Sequence, residues 1–412
     1  MSHVLICGVG MTRFGRHADR SVKELVSEAV LATLNDAGIE RRQIGAAYYG
    51  SVAQGYFENQ VTVPGQIALL SMGFSGLPVV NVENACATGS TALHLAQRHV
   101  ASGEADFVLA VGVEKMLYPD KAKVFSLFET GWDVHRAQEN YDRLLELGRG
   151  VEVPPGFSRD APFSRFMEVY AAFCRYHMRE FGLSQRQLAI VAAKNHEHSQ
   201  CNPLAQYQRP FTVEEVLASG PVCYPLTTLM CAPMTDGAAA VIVCSERAAA
   251  RHGLTQRSVR IRASILRSAS LRAAAKLDEH VTRLAALEAY EKAAIGPQEV
   301  HVAEVHDASA MGEILQTENL GFCKRGEGGA FAESGASRLG GRLPINPSGG
   351  LECKGHPIGA TGLAQVFELV TQLRGAAQTR QVPNARIAVQ ENGGGLFGVE
   401  EAAAHIAVLS AD

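Results

Sequence analysis

Apolar positions along this chain follow two periods that take turns. Val4, Leu5, Ile6 and Val9 cluster as a strand over 4–9, whereas Val22, Leu25, Val26, Ala29, Val30 and Leu34 recur at helical spacing and stop at Gly38. They predict a helix over 22–37. A short strand is expected at 46–50, a helix at 64–70, and a β-branched strand starting at Val79. Beyond it, Ala92, Leu93, Leu95 and Ala96 mark another helix, and 105–113 is an unbroken apolar run between turn residues. Such a run reads as a strand buried on both faces. Strands alternating with helices predict an α/β fold, a mostly parallel sheet with helices on both sides.

From 117 the character changes. Charge, aromatics, proline and glycine increase, and the only tryptophan, Trp132, lies here. Helices are expected around 166–181 and 184–198, which makes the stretch a lid or substrate-binding excursion. The α/β pattern resumes with an Asp236-Gly237 turn and an apolar strand. Then come a strand at 259–265, a helix at 280–294, a strand at 300–305, helices at 310–319 and 363–373, and strands at 387–390 and 403–409. The expected division is 1–116 as the first part of one half, 117–228 as an insertion, 229–255 completing that half, and 256–412 as a second half. A faint echo supports duplication: Cys86-Ala87-Thr88-Gly89 opens one helix and Gly359-Ala360-Thr361-Gly362 another. Duplication would bring both helix N-termini to the pseudo-symmetric centre.

Composition narrows the partners. The 412 residues carry a net charge of −4, which gives no reason to expect nucleic acid or an anionic membrane surface. No run of 18 apolar residues spans a membrane, and the amino terminus lacks a basic n-region and long h-region. Nine scattered cysteines without a CxxC pair argue against a disulfide framework and a zinc site. A cytoplasmic protein without a bound metal is expected.

Three stretches carry candidate chemistry. Cys86 follows the Val79 strand and precedes the Ala92 helix, so it is expected near a helix N-terminus, where unpaired N–H groups stabilise a thiolate and receive an oxyanion. Ala87, Thr88, Gly89 and Ser90 are expected to leave room for a substrate. A buried structural cysteine explains this stretch equally well. Residues 346–362 hold five glycines and two prolines around His356, punctuation that can fix an imidazole as the base for a cysteine. His306-Asp307 follows a strand, and Asp307 also reads as a helix N-cap. Glu391-Asn392-Gly393-Gly394-Gly395 ends another strand with a glycine run that reads as an N–H donor site or as a plain turn.

Together these segments resemble the thiolase superfamily, and most closely its sterol-carrier-protein type. Asn84-Ala85-Cys86 is similar to the nucleophile segment, 111–116 to the strand end after it, and Lys194-Asn195-His196-Glu197-His198-Ser199 with Asn202-Pro203 to a sterol-carrier-type stretch. Thr235-Asp236-Gly237 matches another signature, 346–362 the histidine motif, and His306-Asp307 the sterol-carrier variant of the Asn-Glu motif. The resemblance implies two βαβαβαββ halves in five αβαβα layers with an inserted loop domain, assembled as a homodimer or dimer of dimers. It implies coenzyme A thioesters as substrates, with no permanently bound cofactor. Cys86 is then the acylated nucleophile and His356 its base. The N–H groups of Cys86 and Gly393 hold one oxyanion, and His306 and His356 hold the thioester oxygen of a second acyl-CoA.

The chain departs from this pattern in one respect. The family's second cysteine aligns with Glu391, and the sterol-carrier His-Asp-Cys-Phe motif here reads His306-Asp307-Ala308-Ser309. Glu391 reads either as the missing acid/base or as a solvated strand-end residue, and Cys353 is a second substitute. Three functions compete: an acyl-CoA C-acyltransferase of fatty-acid or sterol side-chain metabolism; an aldolase, lyase or acyltransferase without Claisen acid/base chemistry, working with a small zinc-ribbon/OB-fold partner; and a non-catalytic subunit of an acyl-CoA complex. The fused lipid-transfer domain of the sterol-carrier type is not expected, because the chain ends soon after its last strand.

Overall fold

The computed structural model describes residues 3–157 and 164–411. The first half begins with β1 (Val4–Met11), α1 (Val22–Ala37) and β2 (Ala46–Gly50). It continues through α2 (Gln54–Glu58), α3 (Pro64–Ser71), β3 (Val79–Val82), α4 (Thr88–Ser102) and β4 (Phe107–Glu114). The helix limits have local causes. Ser21 caps α1 in a reciprocal box with Glu24, and Gly38 ends it at φ 69°.

An excursion follows: α5 (Lys121–Phe128), α6 (Ala137–Glu146), α7 (Arg165–Phe181), α8 (Gln185–Gln200), α9 (Val213–Ala218) and a hairpin of β5 (Pro221–Cys223) and β6 (Leu226–Thr227). β7 (Gly237–Ser245) then returns to the sheet and α10 (Glu246–Arg251) leaves it. The second half comprises β8 (Val259–Ser268), α11 (Val281–Ala293), β9 (Val302–Glu304), α12 (Ala310–Asn319), α13 (Gly328–Glu333), α14 (Gly350–Lys354), α15 (Thr361–Leu373), β10 (Ile387–Gly394) and β11 (Ala403–Ser410).

Nine strands join in the order β3-β2-β4-β7-β1-β8-β11-β10-β9. β2 is parallel to β3 and β4, while β7 runs antiparallel between β4 and β1. The halves meet at a short antiparallel contact, Leu5 with Arg260 and Ile6 with Val259. β4 shows why its sequence is continuously apolar: Val108 and Ala110 face the core shared by both halves, and Leu109, Val111 and Val113 face the core beneath α1. Helices α4 and α15 lie in that shared core, α1 covers the outer face of one half and α11 that of the other. This is the five-layer arrangement. The second half is the less regular copy, because its third strand shrinks to one isolated bridge between Ala303 and Ile345.

The two helix openings in the sequence echo cross at the centre. A Cβ on Gly362 would lie 1.9 Å from Ser90 Oγ, and one on Gly89 would lie 2.9 Å from the Gly359 carbonyl. The small residues after Cys86 therefore make room for α15, not for substrate: Thr88, Gly89 and Ser90 are buried. Asp307 does not cap a helix either, since the α12 N-cap is Ser309.

Candidate active site

Cys86 sits on the turn between β3 and α4, two residues before the helix starts. Ala85 holds a left-handed φ of 48°, a conformation that costs a non-glycine residue about 1–3 kcal/mol and persists only where neighbours enforce it. Thr88 enforces it: its hydroxyl accepts from Asn84 N–H (2.8 Å) and donates to the Ala85 carbonyl (2.6 Å). His356 follows α14 and Gly355, whose φ of 114° favours glycine, with its own N–H donated to Thr235 Oγ1. His306 follows β9. The sulfur and one ring nitrogen from each histidine lie within 4.8 Å of one another. The two imidazoles stand edge to face, their centroids 5.2 Å apart.

Hydrogen bonds assign the two rings opposite tautomers. Thr361 Oγ1 gives its proton to the Pro357 carbonyl, so it can only accept at its 2.7 Å contact with His356 Nδ1. Nδ1 of His356 therefore carries the proton and Nε2 offers a lone pair. At His306 the polarity reverses. Ser90 donates to Asn392 Oδ1 (2.7 Å), which turns the Asn392 amide N–H toward His306 Nδ1 at 3.0 Å. Nδ1 of His306 is the acceptor, so its Nε2 is the N–H donor. One histidine is built as a base and the other as a hydrogen-bond donor. The same spacing resembles a three-ligand metal cluster, but the His306 donor would first have to give up its proton.

Burial sets the resting protonation. It lowers His306 to about 4 and His356 well below the usual imidazole value, the latter also repelled by His306. The Cys86 thiol is pushed up to about 12, first by burial and then by Glu114 and Glu83, against the opposing pull of the N–H groups of Cys86 and Gly395. The expected helix-stabilised thiolate is thus overturned in the resting site: desolvation outweighs the helix N-terminus. The glycine N–H that faces the sulfur is that of Gly395, whose φ of 63° turns the chain beyond β10. Gly393, the residue expected from the motif, lies within β10 on the cavity wall.

The three residues open into a cavity of about 110 Å³ with largely apolar walls, including Leu127, Phe128, Phe166, Met167, Tyr170, Phe173 and Leu315. A second, more open cavity of about 200 Å³ shares Phe128, Met167, Ala308 and His356 with it. His356 thus stands where the two meet.

Two sequence candidates for the missing acid/base are absent from both walls. Glu391 is fully buried and turns its Oε2 back to accept from His306 N–H at 2.7 Å. It braces the histidine instead of lining the cavity, so it is neither a solvated strand end nor a group facing the reacting atoms. Cys353 is buried inside α14, its thiol raised first by burial. Lys194, in the sterol-carrier-type stretch, is also buried; it pairs with Glu313 and donates to the Ile345 carbonyl at 2.9 Å. Its neighbour Asn195 donates to Asp307, Glu313 and Glu352. The sterol-carrier-type stretch therefore holds the His306-Asp307 segment in place from beneath.

Sequence reasoning missed Thr361, Asn392 and Glu114. Glu114 collects Ser51 Oγ and the N–H groups of Val52, Ala53 and Gly359, tying the β4 end to the His356 loop. A strand ending in an acid beside two glycine-rich loops was the available signal.

Comparison with known proteins places this geometry. The thiolase N-terminal domain matches residues 4–216, and the thiolase C-terminal domain-like family matches 263–410. The chain belongs to the thiolase family. It is 38% identical over 411 residues to an acetyl-CoA acetyltransferase of Methanothermobacter thermautotrophicus, covering 98% of this chain and 99% of that one. It is also 38% identical over 406 residues to rat sterol carrier protein 2, covering 95% of this chain and 70% of that protein. Among solved structures it shares its fold with an Ltp2-ChsH2(DUF35) aldolase (TM-score 0.78, 24% identity, 100% and 98% of the two chains). It does so too with human mitochondrial 3-ketoacyl-CoA thiolase in complex with CoA (TM-score 0.70, 17% identity, 99% and 98% covered). Thiolase-family enzymes are acyltransferases. Among the described residues no helix is long and apolar enough to cross a membrane.

Proposed function

We propose that this thiolase-family chain is an acyl-CoA C-acyltransferase that works through an acyl-Cys86 intermediate. The observation that carries the reading is the tautomer pair around the thiol. His356 Nε2 takes the Cys86 proton as sulfur attacks a carbonyl carbon, and the N–H groups of Cys86 and Gly395 receive the oxyanion. His356 then returns the proton to the leaving group. His306 Nε2–H is the donor for the thioester oxygen of a second acyl-CoA, and His356 can join it only while it holds a proton. Convergence of these groups supports catalysis over a non-catalytic subunit.

The substrates are CoA thioesters, entering through the more open cavity, with fatty or sterol side-chain acyl groups against the apolar walls of the other. We place the enzyme in the cytoplasm as a homodimer. β3 is an edge strand with Val80 47% exposed beside exposed Val63, Ile67 and Leu70, a surface suited to pairing with a second copy.

The test is intact-protein mass spectrometry after incubation with acetyl-CoA and a longer acyl-CoA. An acyl adduct is expected on the wild type and not on Cys86→Ala. No adduct with any thioester would sink the acyltransferase. One observation favours a second reading: among the described residues Cys86 is the only thiol on the wall of its cavity. A site with one thiol is compatible with a carbon–carbon lyase that does no Claisen acid/base chemistry, for which we propose a small zinc-ribbon/OB-fold partner; cleavage of a 3-hydroxyacyl-CoA to an aldehyde without an adduct would establish it.

A further inference from the structure

Glu391 does not line the cavity that holds Cys86, but another carboxyl does. Residues 391 and 393 share one face of β10, and Gly393 has no side chain to fill its position. Glu401, from the turn leading into β11, fills it: a Cβ on Gly393 would lie 2.6 Å from Glu401 Cγ. Glu401 lines the same cavity as Cys86, His306 and His356. Gly394, one residue on, packs against the nucleophile turn, where a Cβ would meet the Asn84 carbonyl at 2.3 Å and Ala87 N at 2.6 Å.

The carboxyl is positioned but not saturated. Gln316 Nε2 donates to Oε1 at 2.7 Å, and His280 Nε2 stands 3.4 Å from Oε2. Oε2 is buried and accepts no hydrogen bond. Glu400, its neighbour in sequence, is the contrast: it accepts from Ser270, Arg272 and Val281 and has nothing left to offer. Burial raises the Glu401 carboxyl, and Glu401 is in turn the strongest charge acting on Glu391. A carboxyl raised from the usual acidic range is better matched to proton exchange with carbon near neutral pH.

We propose that Glu401 is the catalytic acid/base that replaces the family's second cysteine, a role that rests on the acyl-Cys86 reading. In synthesis its carboxylate takes a proton from the α-carbon of the CoA thioester whose oxygen His306 holds. The C–H electron pair passes into the enolate, and the enolate attacks the carbonyl carbon of acyl-Cys86. The new C–C bond forms, the S–C bond breaks, and the released thiolate recovers the proton from Glu401. Cleavage runs the same steps in reverse, with Glu401 protonating the enolate.

The experiment separates the two halves of the reaction. Acylation of Cys86 is followed by intact mass, and exchange at the α-carbon by deuterium uptake into acetyl-CoA in D2O, for wild type, Glu401→Gln, Glu401→Asp and Glu391→Gln. Glu401→Gln is expected to acylate normally yet lose exchange by about 100-fold or more, with Glu401→Asp recovering part of it and Glu391→Gln, which keeps an acceptor for His306 N–H, losing less than Glu401→Gln. Exchange unaffected by Glu401→Gln, or abolished by Glu391→Gln alone, overturns the proposal. So does a wild type that acylates without exchanging. Loss of acylation and exchange together in both Glu401 variants makes the residue structural and overturns it as well. A wild type that never acylates instead removes the acyltransferase reading beneath it.

Discussion

A thiol raised to about 12 beside an imidazole held below its usual value is a neutral pair at rest. Its proton moves only when substrate supplies a developing charge for the N–H groups to meet, which keeps Cys86 from reacting with stray electrophiles. The sign gives a direct prediction. Alkylation requires thiolate, whose fraction grows about tenfold per pH unit below the thiol pKa. Iodoacetamide inactivation of the free enzyme is therefore expected to keep accelerating from pH 7 to 10; a plateau below pH 8 would mean a thiolate already formed. At this scale the sequence exposed Cys86, His306 and His356, because reactive residue types stood among conformational punctuation. It did not expose the roles of Thr361, Asn392 or Glu401, nor which glycine of the 393–395 run faces the sulfur. Their roles depend on which atom of a neighbour they meet, and no local pattern encodes a tautomer or a side chain filling the space above a distant glycine.

Elements carry these atoms into register, and the α4–α15 crossing is the critical joint. Gly362 faces Ser90, Ser90 holds Asn392, and Asn392 fixes the His306 tautomer. Gly362→Ala places a methyl 1.9 Å from Ser90 Oγ and 2.6 Å from Asn392 Oδ1. It is expected to cost about 2–4 kcal/mol in urea unfolding and to lower kcat in the protein that remains folded. Stability and kcat equal to wild type would show that the crossing relaxes freely. Elements were the most legible level of the sequence: α1 spans the expected 22–37, where apolar period and caps agree, and α12 the expected 310–319, although its cap is Ser309. β10 was read too short. Its glycine run continues as strand through Gly394 because it pairs with β11, a tertiary reason that overrides glycine's poor strand propensity.

On the scale of the whole molecule, duplication explains why two short sequence echoes end up in contact. The resemblance predicted this architecture; periodicity alone predicted a mostly parallel sheet. Five of the eight strand pairings in the nine-stranded sheet are instead antiparallel, because β7 and β1 pair with each other and with β4 and β8, and β11 pairs with β8 and β10, all in opposed directions. The weakened third strand of the second half was not legible, since a single bridge leaves no alternating pattern. The exposed β3 edge leads to a further expectation. Val80→Lys should shift the protein toward monomer in analytical ultracentrifugation, with little change in monomer fold, because Val80 is already open to solvent in one chain. An unchanged sedimentation coefficient would move the interface elsewhere.

The position of β1 has a consequence for how the chain is made. It lies between β7 and β8, which begin only at Gly237 and Val259. β1 thus leaves the ribosome with no neighbour in the sheet until the excursion has been translated, a wait on the order of 10–50 s at about 5–20 residues per second. During that interval Val4, Leu5 and Ile6 form an apolar segment without a sheet to join. Nascent chains stalled before β7 should be clients for chaperones, and the central strand of the finished molecule is among the last to find its place.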